Sequence, residues 1–174
     1  MREFASFAGF AEHLAAMAVT LPVVERAAVE GATRIILHEA RESIGHYQDA
    51  AGPFETWGPL ADTTLYGFDS KGHHFPGKIE LGYAPPDNPL LREGDMRASY
   101  GTKIEQTALG VTGYVGSDSD IAVWQEMGTP NAKHPIPPRS VLGRAAFVKA
   151  DAAARSILER TGMFLAGLPA KNMP

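Results

Sequence analysis

The chain contains no cysteine, which excludes disulfide scaffolds, thiolate zinc sites and cysteine nucleophiles. Positive charge is not in excess either: the formal net charge is −4, which argues against a protein that coats nucleic acid without regard to its sequence. No uninterrupted apolar run approaches the roughly 20 residues that cross a bilayer. Glu12 and His13 make the N-terminal segment a poor secretory signal. We therefore expect a soluble protein that is made in the cytoplasm and has no membrane partner.

Length and composition predict a single domain over residues 1–174. The chain is 44% apolar and 21% charged, close to the average of globular proteins. Its charge is unevenly spread, with four basic and eight acidic residues in 1–60 but seven basic and two acidic residues in 132–174. A solvated helix face is the simplest explanation. Such polarity would also suit an acidic partner, a nucleic acid or another copy of the same chain.

Helical spacing of apolar residues predicts three helical segments, of which the first is short. The first covers 6–18, with Ser6 placed to cap it. The second runs from Pro22 to about Tyr47, because proline is tolerated in the first turn of a helix, and Gly45 is placed to end it. The third is a C-terminal helix within 138–165.

The rest of the chain predicts a long loop and a hairpin. Residues 51–89 are rich in proline, glycine and aromatic residues, which predicts an irregular but ordered loop that packs on a neighbouring subunit, with one short strand near 78–81. Period-two alternation in 102–107 and 111–116 predicts a β-hairpin, and 121–127 is ambiguous between helix and strand. The expected fold class is α+β, with two or three helices packed on a small antiparallel sheet.

Histidine is the one residue type that suggests catalytic chemistry. His38 and His46 are eight residues apart and Glu42 lies between them, so the four-residue spacing of a zinc-protease helix is missing. His73 and His74 are adjacent in the loop. There is no Gly-x-Ser-x-Gly nucleophile motif either. We expect no catalytic residue, metal or cofactor. Two alternatives remain: a metal-dependent hydrolase that uses the loop histidines, and a nucleic-acid-binding module that uses the basic C-terminal helix.

One segment of the C-terminal half resembles a known family. Residues 120–147 read DIAVWQEMGTPNAKHPIPPRSVLGRAAF. A short apolar stretch ends in a Glu-x-Gly-Thr turn at 126–129, a proline–arginine link follows at 137–139, and a helix opens with small and apolar residues at 141–146. This pattern resembles the tail-completion and head-tail joining (neck) proteins of lambdoid long-tailed bacteriophages, as does the segment 91–99. The virion-morphogenesis proteins of Mu-like phages share the proline–arginine link.

The resemblance implies a non-enzymatic structural protein of the phage neck, which joins head to tail or completes the tail tube. It implies a location in the virion, a homo-oligomeric ring of six copies, and neighbours among the neck, connector and tail-tube proteins. DNA would pass through the lumen without sequence-specific binding. The link physically fixes the entry of the last helix, and it serves either one subunit or a subunit contact. The candidate interface residues are Trp57, Tyr66, Phe68, Phe75, Trp124, Glu126, Arg139 and Arg144.

Overall fold

The computed structural model describes residues 4–69, 71–83, 86–133 and 135–167. Within these ranges the chain forms five helices and one two-stranded antiparallel sheet, so the predicted α+β class is confirmed. Three of the helices are short, which is why the number exceeds the two or three expected. The elements are α1 (Phe7–Ser43), α2 (Asp62–Tyr66), α3 (Asp95–Ser99), β1 (Tyr100–Thr107), β2 (Gly110–Ser117), α4 (Asp120–Met127) and α5 (Leu142–Leu165).

The first two predicted helices are one continuous helix, so the break expected at Pro22 is wrong. Pro22 lies inside α1, which has 37 residues. The flanking sequence is rich in alanine, the strongest helix former, and this favours continuation even though proline lacks the amide donor. Both predicted ends are close to the observed ones. The Ser6 hydroxyl accepts the Gly9 N–H at 3.2 Å, and Gly45, with φ of 101°, lies two residues after Ser43, the last helical residue.

One window of α1 is unusually apolar. It is 18 residues long, has a mean hydropathy of 1.5 and at most two charged residues, and only 6% of it is buried. By length and composition alone this helix could cross a membrane. The core helix of a soluble protein and a signal sequence can have the same length and composition. Glu12 and His13 interrupt the N-terminal part of this helix, so the expectation that no uninterrupted apolar run reaches the length of a membrane span is unchanged.

The described residues group into two compact units, and the first comprises those of 1–35, 102–114 and 150–174. Its buried residues are mostly small: Val24, Ala28, Ala32, Thr33 and Ala153. Gly113 of β2 lies so close to α1 that a Cβ there would be 2.5 Å from Thr33 Cγ2. A Cβ on Gly31 would be 3.1 Å from Ser156 Oγ of α5. Small residues thus allow both the hairpin and α5 to contact α1 directly.

The second unit, 36–101 and 115–149, contains the main hydrophobic core. The prediction of a single domain over 1–174 stays a prediction. Half-buried leucines and Met96 surround the core. Its fully buried members come from the end of α1, the loop, the start of β1, α4 and the start of α5: Ala40, Ile44, Trp57, Tyr100, Ala122, Val141 and Ala145.

The described residues of the loop over 51–89 do not include the strand expected near 78–81. They form α2 and two isolated bridges instead, and 78–81 is a turn in which Lys78 N–H bonds the Thr64 carbonyl at 3.0 Å. Gly67 and Gly77 let two parts of the loop cross, since a Cβ on Gly67 would be 1.7 Å from the Phe75 carbonyl oxygen. This crossing occupies backbone groups that a strand would need for a partner.

The C-terminal half follows the prediction more closely. The ambiguous segment 121–127 is helical and forms most of α4. The predicted C-terminal helix is confirmed as α5, which begins at Leu142 and not at 138. The start is fixed by contacts with α4, because the Arg139 N–H bonds the Gln125 carbonyl and the Glu126 carboxylate accepts the N–H groups of the first turn.

Candidate functional site

The residues that carry the family resemblance meet at a junction between α4 and α5, which we call the helix junction (Glu126 to Gly143). Glu126, near the end of α4, points its carboxylate at the N-terminus of α5. Oε2 accepts the N–H groups of Val141 and Leu142 at 2.7 and 2.9 Å. Oε1 accepts the N–H of Gly143 at 2.8 Å and the Ser140 hydroxyl at 2.5 Å. A carboxylate in this position satisfies amides that the helix cannot bond itself and interacts favourably with the helix dipole.

A tight turn brings the chain from α4 back to α5. Gly128 has φ of 69°, and a Cβ there would be 2.8 Å from the Ile136 carbonyl oxygen. Thr129 and Ile136 close the turn, with the Thr129 N–H donating to the Ile136 carbonyl at 3.0 Å and the Ile136 N–H donating to Thr129 Oγ1 at 2.9 Å. The glycine of the Glu-x-Gly-Thr pattern therefore has a local steric cause.

Arg139 joins the helix junction to the loop. Its side chain is buried, with 6% of the residue exposed. The backbone N–H of Arg139 donates to the Gln125 carbonyl at 2.6 Å. The side-chain Nη2 donates to the carbonyls of Gly58 and Pro59, each at 3.2 Å. Burial lowers the pKa of the guanidinium, although the nearby Tyr47 opposes the shift. Arg139 is a candidate interface residue in the sequence, but the structure places its guanidinium against two backbone carbonyls of its own unit.

Arg144 and Lys149 on α5 both reach Glu39 of α1. Arg144 Nη1 is 3.6 Å from Glu39 Oε1, and Lys149 Nζ is 3.1 Å from Glu39 Oε2. Arg144 Nε also donates to the Asp49 carbonyl at 3.2 Å. These two cations therefore do not belong to a purely solvated helix face, since α1 supplies a carboxylate that spacing within α5 does not reveal.

The aromatic interface candidates fall into two groups. Trp57 is 3% exposed and belongs to the core of its own unit. Tyr66, Phe68 and Phe75 in the loop and Trp124 on α4 are between 40% and 54% exposed. Tyr66 and Phe68 stack with ring centroids 6.4 Å apart. Only this second group presents aromatic surface, because Trp57 is covered by the chain itself.

The histidines have acidic neighbours but no metal-binding arrangement in the described part of the chain. His73 Nδ1 is 2.9 Å from Asp69 Oδ2, and His74 Nε2 is 3.2 Å from Glu80 Oε2. Both rings are well exposed. No group of three or more His, Asp or Glu side chains is close enough to hold a metal among the residues that the structure describes.

Tyr100 is a central residue that the sequence patterns missed. It is 1% exposed and contacts the core, and no hydrogen-bond partner for its hydroxyl lies in the described ranges. Burial, and secondarily the charge of Glu126, raise the pKa of its phenol above the ordinary value. Strand alternation marks this position as a strand end and says nothing of the buried hydroxyl.

Comparison of the chain with protein-family models, curated proteins and solved structures gave no match.

Proposed function

We propose that this protein is a non-enzymatic structural component of a phage neck, which assembles with copies of itself and with neighbouring neck or tail-tube proteins. One observation supports assembly most strongly. Among the described residues, 23 large apolar residues are exposed, whereas 11 apolar residues form the buried core. Monomeric proteins rarely leave extended apolar patches in water, and exposed apolar surface typically marks interaction sites.

The exposed apolar residues are concentrated on particular elements. In the first unit, the N-terminal half of α1 exposes Phe7 and Val19 by 84% and 80%. In the second unit, α4 exposes Ile121, Trp124 and Met127 by 51%, 51% and 73%. The last three recur at three-residue spacing and therefore share one side of α4. Each unit thus offers apolar surface to a neighbour, as a head-to-tail ring requires two different contact surfaces.

The helix junction provides the stiffness that a joining protein needs. Glu126, Gly128 and Arg139 belong to the pattern that resembles neck proteins, and they fix how α4, the loop and α5 meet. A rigid junction presents the exposed side of α4 in a defined direction. This argument assigns the motif a role inside the subunit, with the interface formed by the exposed side chains around it.

Three other function classes make different predictions. A nucleic-acid-binding module would use the basic residues of α5, but Arg144 and Lys149 are partly neutralised by Glu39. A hydrolase would use His73 or His74 with their acidic neighbours. A membrane-binding protein would insert the apolar window of α1, whose length and composition allow it to enter a bilayer. Binding to DNA, hydrolysis and vesicle flotation of the purified protein distinguish these classes.

Electron microscopy of intact particles tests the proposal directly. We expect density for this chain between the portal and the tail tube, arranged as a ring of six copies. The loop should contact an adjacent subunit or layer through Tyr66, Phe68 or Phe75. A particle that lacks the chain would overturn the proposal. So would a purified protein that floats with lipid vesicles and is absent from virions.

A further inference from the structure

One cavity in the second unit has a volume of 470 Å³, within the usual range of small-ligand pockets, about 300–1,000 Å³. The loop, the segment before α3, α4 and the link to α5 all contribute to it. Its walls are mainly apolar, and the residues that form them are Leu60, Phe75, Leu81, Leu90, Leu91 and Ile136.

Three cations also line this cavity, which we call the loop cavity. They are Lys78, Arg92 and Arg139, and none of the described lining residues is Asp or Glu. Arg92 lies 3.9 Å from Glu93 and stacks over the Tyr83 ring, so it is already engaged. Lys78 donates to the Asn88 carbonyl at 2.6 Å. Burial lowers its pKa, against the opposing effect of Asp87.

Arg139 is the least satisfied of the three. It is 6% exposed, and the acceptors that the structure gives its guanidinium are two backbone carbonyls rather than a carboxylate. Its Nε is buried without a hydrogen-bond partner in the described residues, and so is Oε1 of Gln125, which lines the same cavity. Leaving such groups unpaired costs about 1–3 kcal/mol each, and more for a charged group.

An acidic ligand would supply what these side chains lack. A carboxylate oxygen would accept the unused guanidinium donor, and its negative charge would offset the positive charges of Arg139 and Lys78, which line the same cavity. The two ends of a glutamine amide are interchangeable in orientation, so a rotated Gln125 offers an N–H donor to the same ligand. The apolar walls require that the rest of the ligand be apolar, which disfavours a free phosphate.

We propose that the loop cavity binds a carboxylate carried by an apolar group, held by Arg139 and Lys78. Two sources share this chemistry: a small fatty-acid-like molecule, and the free C-terminal carboxylate of an apolar peptide. The proposal does not depend on the neck function, since it is based on the cavity and the unpaired groups alone.

The test is a titration of the full-length protein with octanoate and with octanamide, followed by calorimetry and by NMR shifts of the Leu60, Gln125 and Arg139 amides. We expect octanoate to bind at least about tenfold more tightly than octanamide, which corresponds to about 1.4 kcal/mol. An apolar tetrapeptide with a free or an amidated C-terminus tests the second source. The proposal requires a preference for the acid in at least one of these two pairs.

Lys78→Gln removes one cation and should weaken binding of the preferred acid about tenfold. Lys103→Gln is the matched control, because Lys103 lies on β1 and does not line the cavity. Circular dichroism confirms that both variants are folded. Equal affinity for acid and amide would show that the cavity binds only the apolar group, and would overturn the proposal. An absence of binding in both pairs would overturn it too, and would indicate that Gln125 and Arg139 satisfy each other.

Discussion

At the scale of single residues, Tyr100 shows a conflict between packing and polarity. The ring fills the core of the second unit, while the hydroxyl is buried and has no partner among the described residues. A buried polar group without a partner keeps its desolvation cost and returns no hydrogen bond. The aromatic ring is therefore the stabilising part of this side chain.

Tyr100→Phe is expected to raise the free energy of unfolding at neutral pH by roughly 1 kcal/mol, because it removes only the unpaired hydroxyl. The phenol also has a pKa raised above its ordinary value of 10.0. Below about pH 10 the phenol is neutral in the folded and the unfolded chain, so its ionisation does not affect stability. Above that pH the unfolded chain ionises first, and the free energy of unfolding falls. Denaturant unfolding from pH 7 to 11 should show a smaller alkaline loss in Tyr100→Phe. Tyr66→Phe, at an exposed position, is the control. A loss of more than about 1 kcal/mol at pH 7 would mean that the hydroxyl has a partner in solution.

Glu126→Gln tests the carboxylate of the helix junction. Glutamine has the same shape but only one accepting oxygen, so it cannot make all four bonds of Glu126. We expect the free energy of unfolding to fall by roughly 2 kcal/mol, from lost charge-assisted bonds and lost interaction with the helix dipole. Urea unfolding measures the change, with the exposed Glu55→Gln as the control. A change below about 0.5 kcal/mol would show that the backbone amides of α5 are satisfied in another way.

At the scale of elements, α1 is the main departure from the sequence pattern. Proline inside a helix removes one backbone hydrogen bond and crowds the preceding turn. The chain nevertheless continues as a helix through Pro22. Contacts of the same helix with the hairpin and with α5 stabilise it on the C-terminal side of the proline.

Pro22→Ala is expected to stabilise the protein by up to about 3 kcal/mol and to raise its helicity, because the missing amide donor is restored in a helix interior. Thermal unfolding followed by circular dichroism measures both effects. Val23→Ala is the control, since it lies in the same turn and leaves the backbone donors unchanged. If Pro22 instead began a separate helix, its replacement would change stability little or lower it slightly.

At the scale of the whole molecule, more large apolar side chains are exposed than are buried in the core, among the residues that the structure describes. The exposed side of α4 and the N-terminal half of α1 both need a partner if the protein functions in water. The loop aromatics Tyr66, Phe68 and Phe75 add to this surface. The assembly that we propose would cover these surfaces together.

The double substitution Phe7→Ser and Val19→Ser is expected to abolish incorporation into particles while leaving the thermal midpoint of the free protein within a few degrees. Both side chains are at least 80% exposed, so they contribute little to the folding of the isolated chain. Complementation of a phage that lacks its own copy measures incorporation. Leu109→Ser, in the β1–β2 turn and 100% exposed, is the control. Normal incorporation of the double variant would exclude the N-terminal half of α1 from the assembly interface.

Several elements of the fold could be predicted from the sequence, because they depend on residues that are neighbours in the chain. The period-two alternation around Leu109 and Gly110 was enough to predict the hairpin. The apolar spacing after the proline–arginine link was enough to predict α5. The Ser6 cap and the Gly45 stop also involve residues within a few positions of one another. The α+β class follows from these local elements.

Only the tertiary structure determined the contacts that make a site. The Glu126 carboxylate bonds amides 15 to 17 residues away, Arg139 bonds carbonyls about 80 residues away, and Glu39 neutralises Arg144 across more than 100 residues. Nothing in local spacing ranks one distant partner above another, because such pairs are set by packing of the whole core. The same reason explains why Trp57 is buried and Trp124 is exposed. The sequence determined that both positions are aromatic, and the fold determined which of the two side chains is exposed.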